Sequence, residues 1–159
     1  MITEFHPIIE GITKQLTLWE PILANLPEEV LMLRKNKQNR TIKQIVGHLI
    51  DSASNNTHRI IHLQNQLSPL IFPNYATYGN NDRWIAIQDY QNEDWMVIVN
   101  LWKYANLHLV HVIKNVDPSR LDNCWESDVN KYISLKTCII DYLPHLELHL
   151  GEIEEMIDN

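Results

Sequence analysis

Hydrophobic residues recur at intervals of three and four along four separate stretches of the chain. These stretches cover residues 2–26, 41–67, 92–116 and 133–157. Such spacing places the apolar side chains on one face of an α-helix. The pattern therefore predicts four long amphipathic helices, the last three of which begin at the N-cap residues Thr41, Asn92 and Ser134.

The segments between these stretches are predicted to be connections. Residues 68–82 contain two prolines, a glycine and several asparagines, which break any periodicity, and their aromatic side chains favour a covering loop. Residues 83–90 are predicted to form a short helix capped by Asp82, and residues 119–132 are predicted to form an irregular connection. No segment alternates convincingly as a strand. We therefore expect one all-α domain over residues 1–159, a four-helix bundle with a long covering loop between helices 2 and 3.

Composition and charge narrow the functional classes. The chain has 159 residues, of which 45% are hydrophobic and 21% charged, and its net charge is -7. That balance is typical of a soluble globular domain and argues against a phosphate-binding surface. No run has membrane-spanning length, and the two cysteines suggest reduced thiols of a cytoplasmic protein. We expect a small-molecule substrate, no nucleic acid, no membrane and a homodimer as one form of assembly.

The fourth predicted helix carries the first candidate metal ligands. His145 and His149 are four residues apart, so they lie one above the other on a helix and can converge on one ion. Both fall on or beside the apolar face. Pro144 directly precedes the pair and can distort the helix there. Two inward histidines that only hydrogen-bond in the core remain the alternative interpretation.

Two further helices carry polar side chains beside their apolar faces. His48 borders the apolar face of the second helix, and Asp51 lies one turn away, where it could orient the imidazole. His108 on the third helix is spaced so that it can point inward.

Cys138 precedes His145 by seven residues and is either a small core residue or a neighbour of the site. Trp125 is expected to cover either the core or a pocket.

The ordered set of these motifs resembles the DinB superfamily of YfiT-like proteins. His48 lies in IVGHLIDSASNN, Asn55 and Arg59 continue it as N-x-x-x-R, and HLELH at His145–His149 follows downstream. The resemblance covers nearly the whole chain. It departs from the pattern at Arg40, where many relatives carry tryptophan immediately before the cap of the second helix.

This resemblance implies a four-helix bundle of up-down-down-up type and a divalent metal, zinc or nickel, held by His48, His145 and His149. Three imidazoles leave coordination positions open, which is the arrangement of a catalytic site. Characterised relatives include transferases that conjugate a low-molecular-weight thiol to an electrophile. The implied activity is therefore thiol S-transfer, with Asp51 and His108 in supporting positions. The alternatives are metal-assisted hydrolysis and a non-catalytic bundle that binds a small molecule or a protein partner.

Overall fold

Helices dominate the fold. The computed structural model of the chain describes residues 2–158. Its α-helices are α1 (His6–Ala24), α2 (Glu28–Leu33), α3 (Ile42–Asn65), α4 (Asn80–Gln88), α5 (Trp95–Lys114), α6 (Leu135–Ile140) and α7 (Tyr142–Asp158). The remaining elements are 3-10 turns at Thr3–Phe5 and Pro118–Arg120 and the strands β1 (Cys124–Asp128) and β2 (Lys131–Ser134).

The four long helices α1, α3, α5 and α7 form the bundle. Both α5 and α7 pack against α1 and α3, so each long helix contacts two others around a common core. This arrangement confirms the prediction of a four-helix bundle. The largest fully buried side chains come from the first 3-10 turn and from α1, α3 and α5: Trp102, Phe5, Ile12, Leu23, Ile42, Ile45, Leu49, Ile60, Leu63, Ile98, Leu109 and Ile113. Within residues 2–158, no helix is both long and apolar enough to cross a membrane.

The helix that supplies His48 begins where the sequence predicts. The Thr41 hydroxyl accepts a hydrogen bond from the Gln44 amide at 3.4 Å, and the Gln44 side chain accepts one from the Thr41 amide at 3.0 Å. This capping box satisfies two amides that a helix start leaves unpaired. The N-cap of α5 is Asp94 and not Asn92 as predicted, because the Asn92 side chain donates to Asp89 in the preceding turn.

The last predicted helix is two helices. Ser134 is the N-cap, as predicted, and its hydroxyl accepts from the Thr137 amide at 3.1 Å. However, α6 ends at Ile140 and α7 begins at Tyr142, so the expectation of one helix over residues 133–157 is wrong. Pro144 provides the reason, since it has no N–H to donate to the Ile140 carbonyl and its ring crowds that group.

The predicted connection at residues 119–132 contains a β-hairpin that the sequence analysis missed. Strands β1 and β2 pair antiparallel, and Asn130 at φ 58° helps to turn the chain between them. The covering loop is attached to this hairpin, because Leu70 exchanges backbone hydrogen bonds with Cys124 and Glu126 at 2.7 and 3.1 Å. The loop ends at Gly79 and not at residue 82 as predicted, because α4 begins at Asn80.

Helix α4 begins at Asn80, earlier than the predicted start at residue 83. Its N-cap is Gly79, at φ 72°, and not Asp82. Asp82 instead forms an ion pair with Arg40 at 2.6 Å. Arg40 is buried, and this pair joins the start of α3 to α4.

Candidate metal centre

Three histidines from two helices meet inside the bundle. His48 comes from α3, and His145 and His149 come from successive turns of α7. The Nε2 atoms of His48 and His145 are 3.4 Å apart, and the centroid of the His149 ring is 4.7 Å from each of the other two. One ring nitrogen from each residue lies within 4.8 Å of the other two. The structure thus brings together the three histidines that the sequence analysis named as candidate ligands.

The outer nitrogens of two of these rings have protein partners. His149 Nδ1 lies 3.0 Å from a carboxylate oxygen of Glu152, which also accepts from the Asn36 side chain at 3.1 Å. His145 Nδ1 lies 3.4 Å from the Ser52 hydroxyl. A carboxylate at Nδ1 holds the proton there and turns the Nε2 lone pair toward an ion. His149 is therefore oriented for ligation by its own helix.

Burial keeps two of the imidazoles neutral. Burial is the largest cause that lowers the pKa of His48 to about 3. Repulsion from positive charge on His149, His145 and Arg40 contributes in the same direction. Burial and His149 lower the pKa of His145 to about 4, against a smaller opposing effect of Glu152. A neutral imidazole has a free lone pair and is the form that binds a metal. These two rings are ready to ligate at neutral pH.

The spacing of the cluster fits an imidazole-bound divalent ion. Two nitrogens about 2.0–2.1 Å from a tetrahedral zinc ion are about 3.3 Å apart, and the two closest Nε2 atoms here are separated by 3.4 Å. One nitrogen from each of the three rings lies within 4.8 Å of the others. The separation of the closest pair is therefore compatible with two imidazoles that share an ion.

Asp51 does not hydrogen-bond to His48. It is 2% exposed, and its Oδ1 accepts from the Tyr90 hydroxyl at 2.8 Å and from the Gln88 amide at 2.6 Å. Asp51 Oδ2 and His48 Nδ1 are both buried without a partner in the structure. Burial raises the pKa of Asp51, and the two hydrogen bonds partly offset this. Its visible role is to tie α3 to the α4 segment.

His108 lies on the surface of α5, so the expectation that it points inward is wrong. Its ring stacks on His111, with the centroids 6.4 Å apart. It is absent from the histidine cluster. His108 follows Ala105 by three residues and precedes Val112 by four, and a residue at the edge of an apolar face can have this same spacing. Ala105 is itself only half-buried. Spacing alone did not separate the edge of that face from its centre.

A cavity of about 270 Å³ adjoins the histidines on the side of the hairpin. His145 lines it, together with Arg59, Cys138 and Trp125. Cys138 is buried, and burial raises the pKa of its thiol. Trp125 is 4% exposed, and its indole donates to the Phe72 carbonyl at 2.9 Å. Cys138 and Trp125 are therefore both core residues and lining residues of the cavity, so the two interpretations offered for each are compatible.

Two residues that contact the histidines were not identified from the sequence. Glu152 follows His149 by three residues on the same helix, a spacing that brings two side chains together. The H-L-G-E run of α7 was thus the available signal. Ser52 contacts His145 on another helix, and such a contact depends on tertiary packing and not on sequence spacing.

Comparison with known proteins agrees with this architecture. No model of a protein family matches the chain, and no curated protein does. Among solved structures, the chain is similar to YfiT from Bacillus subtilis, described as a probable metal-dependent hydrolase with an unusual four-helix bundle topology. The TM-score is 0.83 at 18% identity, over 98% of this chain and 87% of YfiT. The chain therefore has the YfiT-like four-helix bundle fold, with a three-histidine cluster inside it that could hold a metal ion.

Proposed function

We propose that this protein is a metal-dependent enzyme whose divalent ion is held by His48, His145 and His149. One observation carries the proposal: three imidazole nitrogens from two helices converge within 4.8 Å of one another. An all-imidazole donor set suits zinc or nickel. Three protein ligands leave a position for a further molecule, as catalytic sites require.

Hydrolysis is the reaction that the comparison favours, because YfiT is described as a probable metal-dependent hydrolase. An imidazole-bound divalent ion lowers the pKa of a coordinated water or thiol and so supplies a nucleophile at neutral pH. The protein's own contribution is orientation. Glu152 fixes the His149 ring, Ser52 contacts His145, and the adjoining cavity gives a small substrate a place beside the cluster.

Thiol transfer is the second candidate, and the resemblance of the sequence to the DinB superfamily favours it. In that reaction a thiolate attacks an electrophilic carbon and the leaving group departs with its electron pair. The nucleophilic thiol belongs to a separate low-molecular-weight molecule, since the Cys138 thiol is buried and protonated at neutral pH. The two candidates share the ion and differ in the nucleophile.

Metal binding is tested first. Protein purified without a histidine tag is analysed for zinc and nickel, beside the His145→Ala/His149→Ala variant and the control His108→Ala. We expect about one ion per chain in the parent and in the control, and none in the double variant. Zinc should raise the melting temperature of the parent and of the control but not that of the double variant, since a ligand that binds the folded state stabilises it. Equal metal content in all three proteins would refute the assignment.

Activity separates the two reactions. The metal-loaded protein is assayed with p-nitrophenyl acetate alone, and with 1-chloro-2,4-dinitrobenzene plus cysteine or glutathione. Ester cleavage that needs no thiol and is lost in the double variant supports hydrolysis. Thiol-dependent release of chloride with the same loss supports transfer. A protein that binds no metal after incubation with zinc and nickel would leave the non-catalytic bundle as the correct interpretation.

A further inference from the structure

The cavity beside the histidines contains a buried positive charge that the chain does not neutralise. Arg59 follows His48 on α3 and is only 6% exposed. Its Nη1 donates to the uncharged Asn56 side chain at 3.0 Å, and its Nε is buried with no hydrogen-bond partner. Within residues 2–158, none of the ion pairs involves Arg59. Buried charges without a partner are costly and therefore rare.

The orientation of this guanidinium is fixed by the hairpin. Its central carbon lies 3.7 Å from the centroid of the Trp125 ring and 5.9 Å from that of Phe72. Trp125 is itself held by its hydrogen bond to the Phe72 carbonyl. Aromatic faces attract the cation but accept no hydrogen bonds in the plane of the guanidinium. Stacking therefore uses the faces of the guanidinium and leaves its in-plane N–H groups to other partners.

The other groups around this edge are neutral or exposed. The Cys138 thiol lies within hydrogen-bonding reach of Arg59 but is protonated, because burial raises its pKa. Burial also raises the pKa of Tyr75 to about 12, so its hydroxyl is neutral as well. Asp141 is the acidic side chain that lines the cavity, and it is exposed at its rim, where solvent screens its charge. The interior of the cavity is thus electropositive.

We propose that this cavity binds the carboxylate of a small organic acid, with Arg59 as its anchor. A planar guanidinium matches a carboxylate better than it matches any other common ligand group, because two parallel N–H bonds can form. The volume, about 270 Å³, admits a small acid but not a peptide or a nucleotide chain. The aromatic lining from Trp125 and Tyr142 suits an apolar body on that acid.

The inference deepens the proposed function and rests on it in one respect, the claim that the acid is the substrate. His145 lines the same cavity as Arg59. An acid anchored at Arg59 would therefore occupy the same cavity that one member of the histidine cluster lines. Binding of the carboxylate itself needs only the protein, which allows the two proposals to be tested separately.

The test uses full-length protein stripped of metal with a chelator, so that a carboxylate cannot bind through an ion. Benzoate is titrated by calorimetry, with its neutral isostere benzamide and with inorganic phosphate as comparisons. The variants are Arg59→Met and Arg59→Lys, and the control is Arg83→Gln, which removes an exposed arginine of α4. We expect benzoate to bind the parent and the control equally, and benzamide to bind at least about tenfold more weakly.

Arg59→Met should weaken benzoate binding at least about tenfold, and Arg59→Lys should fall between it and the parent, since it keeps the charge and loses the planar fork. The lysine variant also decides the matter if the methionine variant does not fold. Equal affinity of Arg59→Lys and the parent, equal affinity for benzamide, tighter binding of phosphate, or no benzoate binding at 10 mM would each overturn the inference. Benzoate binding by a protein that takes up no metal would overturn the proposed function alone.

Discussion

Gly47 lies directly before His48, and an alanine there should destabilise the protein although alanine favours helices. A Cβ atom at this position would lie 2.2, 2.4 and 2.7 Å from Cδ2, Cγ and Cε2 of Tyr90. Carbon atoms in contact are normally about 3.5–4.0 Å apart, so the ring would have to move by about 1 Å or more. Tyr90 is only 5% exposed and has little room for such a movement.

The cost can be estimated from the contacts of the ring. Overpacking a core costs about 1–3 kcal/mol. Moving the ring also breaks the 2.8 Å hydrogen bond from the Tyr90 hydroxyl to Asp51, and a hydrogen bond to a charged group contributes about 1.5–3 kcal/mol. Replacing a helical glycine by alanine returns about 1 kcal/mol. We therefore expect Gly47→Ala to lower the free energy of unfolding by roughly 1.5–5 kcal/mol.

Urea unfolding followed by circular dichroism measures this change, and α7 offers a matched control. A Cβ at Gly151, also inside a helix, would meet no atom within 4 Å. Gly151→Ala should therefore stabilise the protein by about 0.5–1 kcal/mol. In a Tyr90→Ala background the clash is absent, so Gly47→Ala should become neutral or stabilising. Equal losses in both backgrounds, or a Gly47→Ala variant as stable as the parent, would refute the reasoning.

Three further predictions concern the site and its supports. In metal-free protein the unfolded chain binds more protons than the folded one below pH 6.5, because the pKa values of His48 and His145 fall from 6.5 to about 3 and about 4 on folding. Stability is therefore complete above pH 6.5 and declines on acidification, and at pH 5 each histidine should cost about 2 kcal/mol. Urea titrations at pH 7.5 and 5.0 measure this, and an unchanged midpoint would contradict it. Glu152→Gln should weaken zinc binding about 10- to 100-fold, measured against a competing chelator, whereas Glu154→Gln, on the exposed face, should leave it unchanged. Ser134→Ala should cost about 1 kcal/mol by removing the cap of α6, measured by thermal unfolding, and a loss below about 0.3 kcal/mol would show that the cap is dispensable.

Local patterns in the sequence were enough to predict the bundle and the histidine pair His145 and His149. The long helices follow from apolar spacing that is repeated over five or more turns, and His145 and His149 share a helix. His48 was linked to them through the family resemblance, and its placement at 3.4 Å from His145 agrees with that link. Signals that are local and repeated survive the effects of tertiary packing.

The features that the sequence did not reveal depend on distant contacts. The strands of the hairpin are short and polar, and β1 is stabilised by Leu70 of the covering loop, more than fifty residues earlier. The exposure of His108 depends on the rotation of α5 about its axis, which neighbouring helices determine. The burial of Arg59 beneath Trp125 depends on the contact between α3 and the hairpin. None of these relations has a signature in a window of the sequence.

The wide separation of His48 and His145, 97 residues along the chain, has a consequence for how the site is assembled. A ribosome adding about 5–20 residues per second takes about 5–20 s to extend the chain from the first ligand to the other two. During that interval a nascent chain offers one imidazole of the three, and no chelate can form. We therefore expect ion uptake to follow closure of the bundle, so that a loaded site would report a chain whose second and fourth long helices, α3 and α7, have already met.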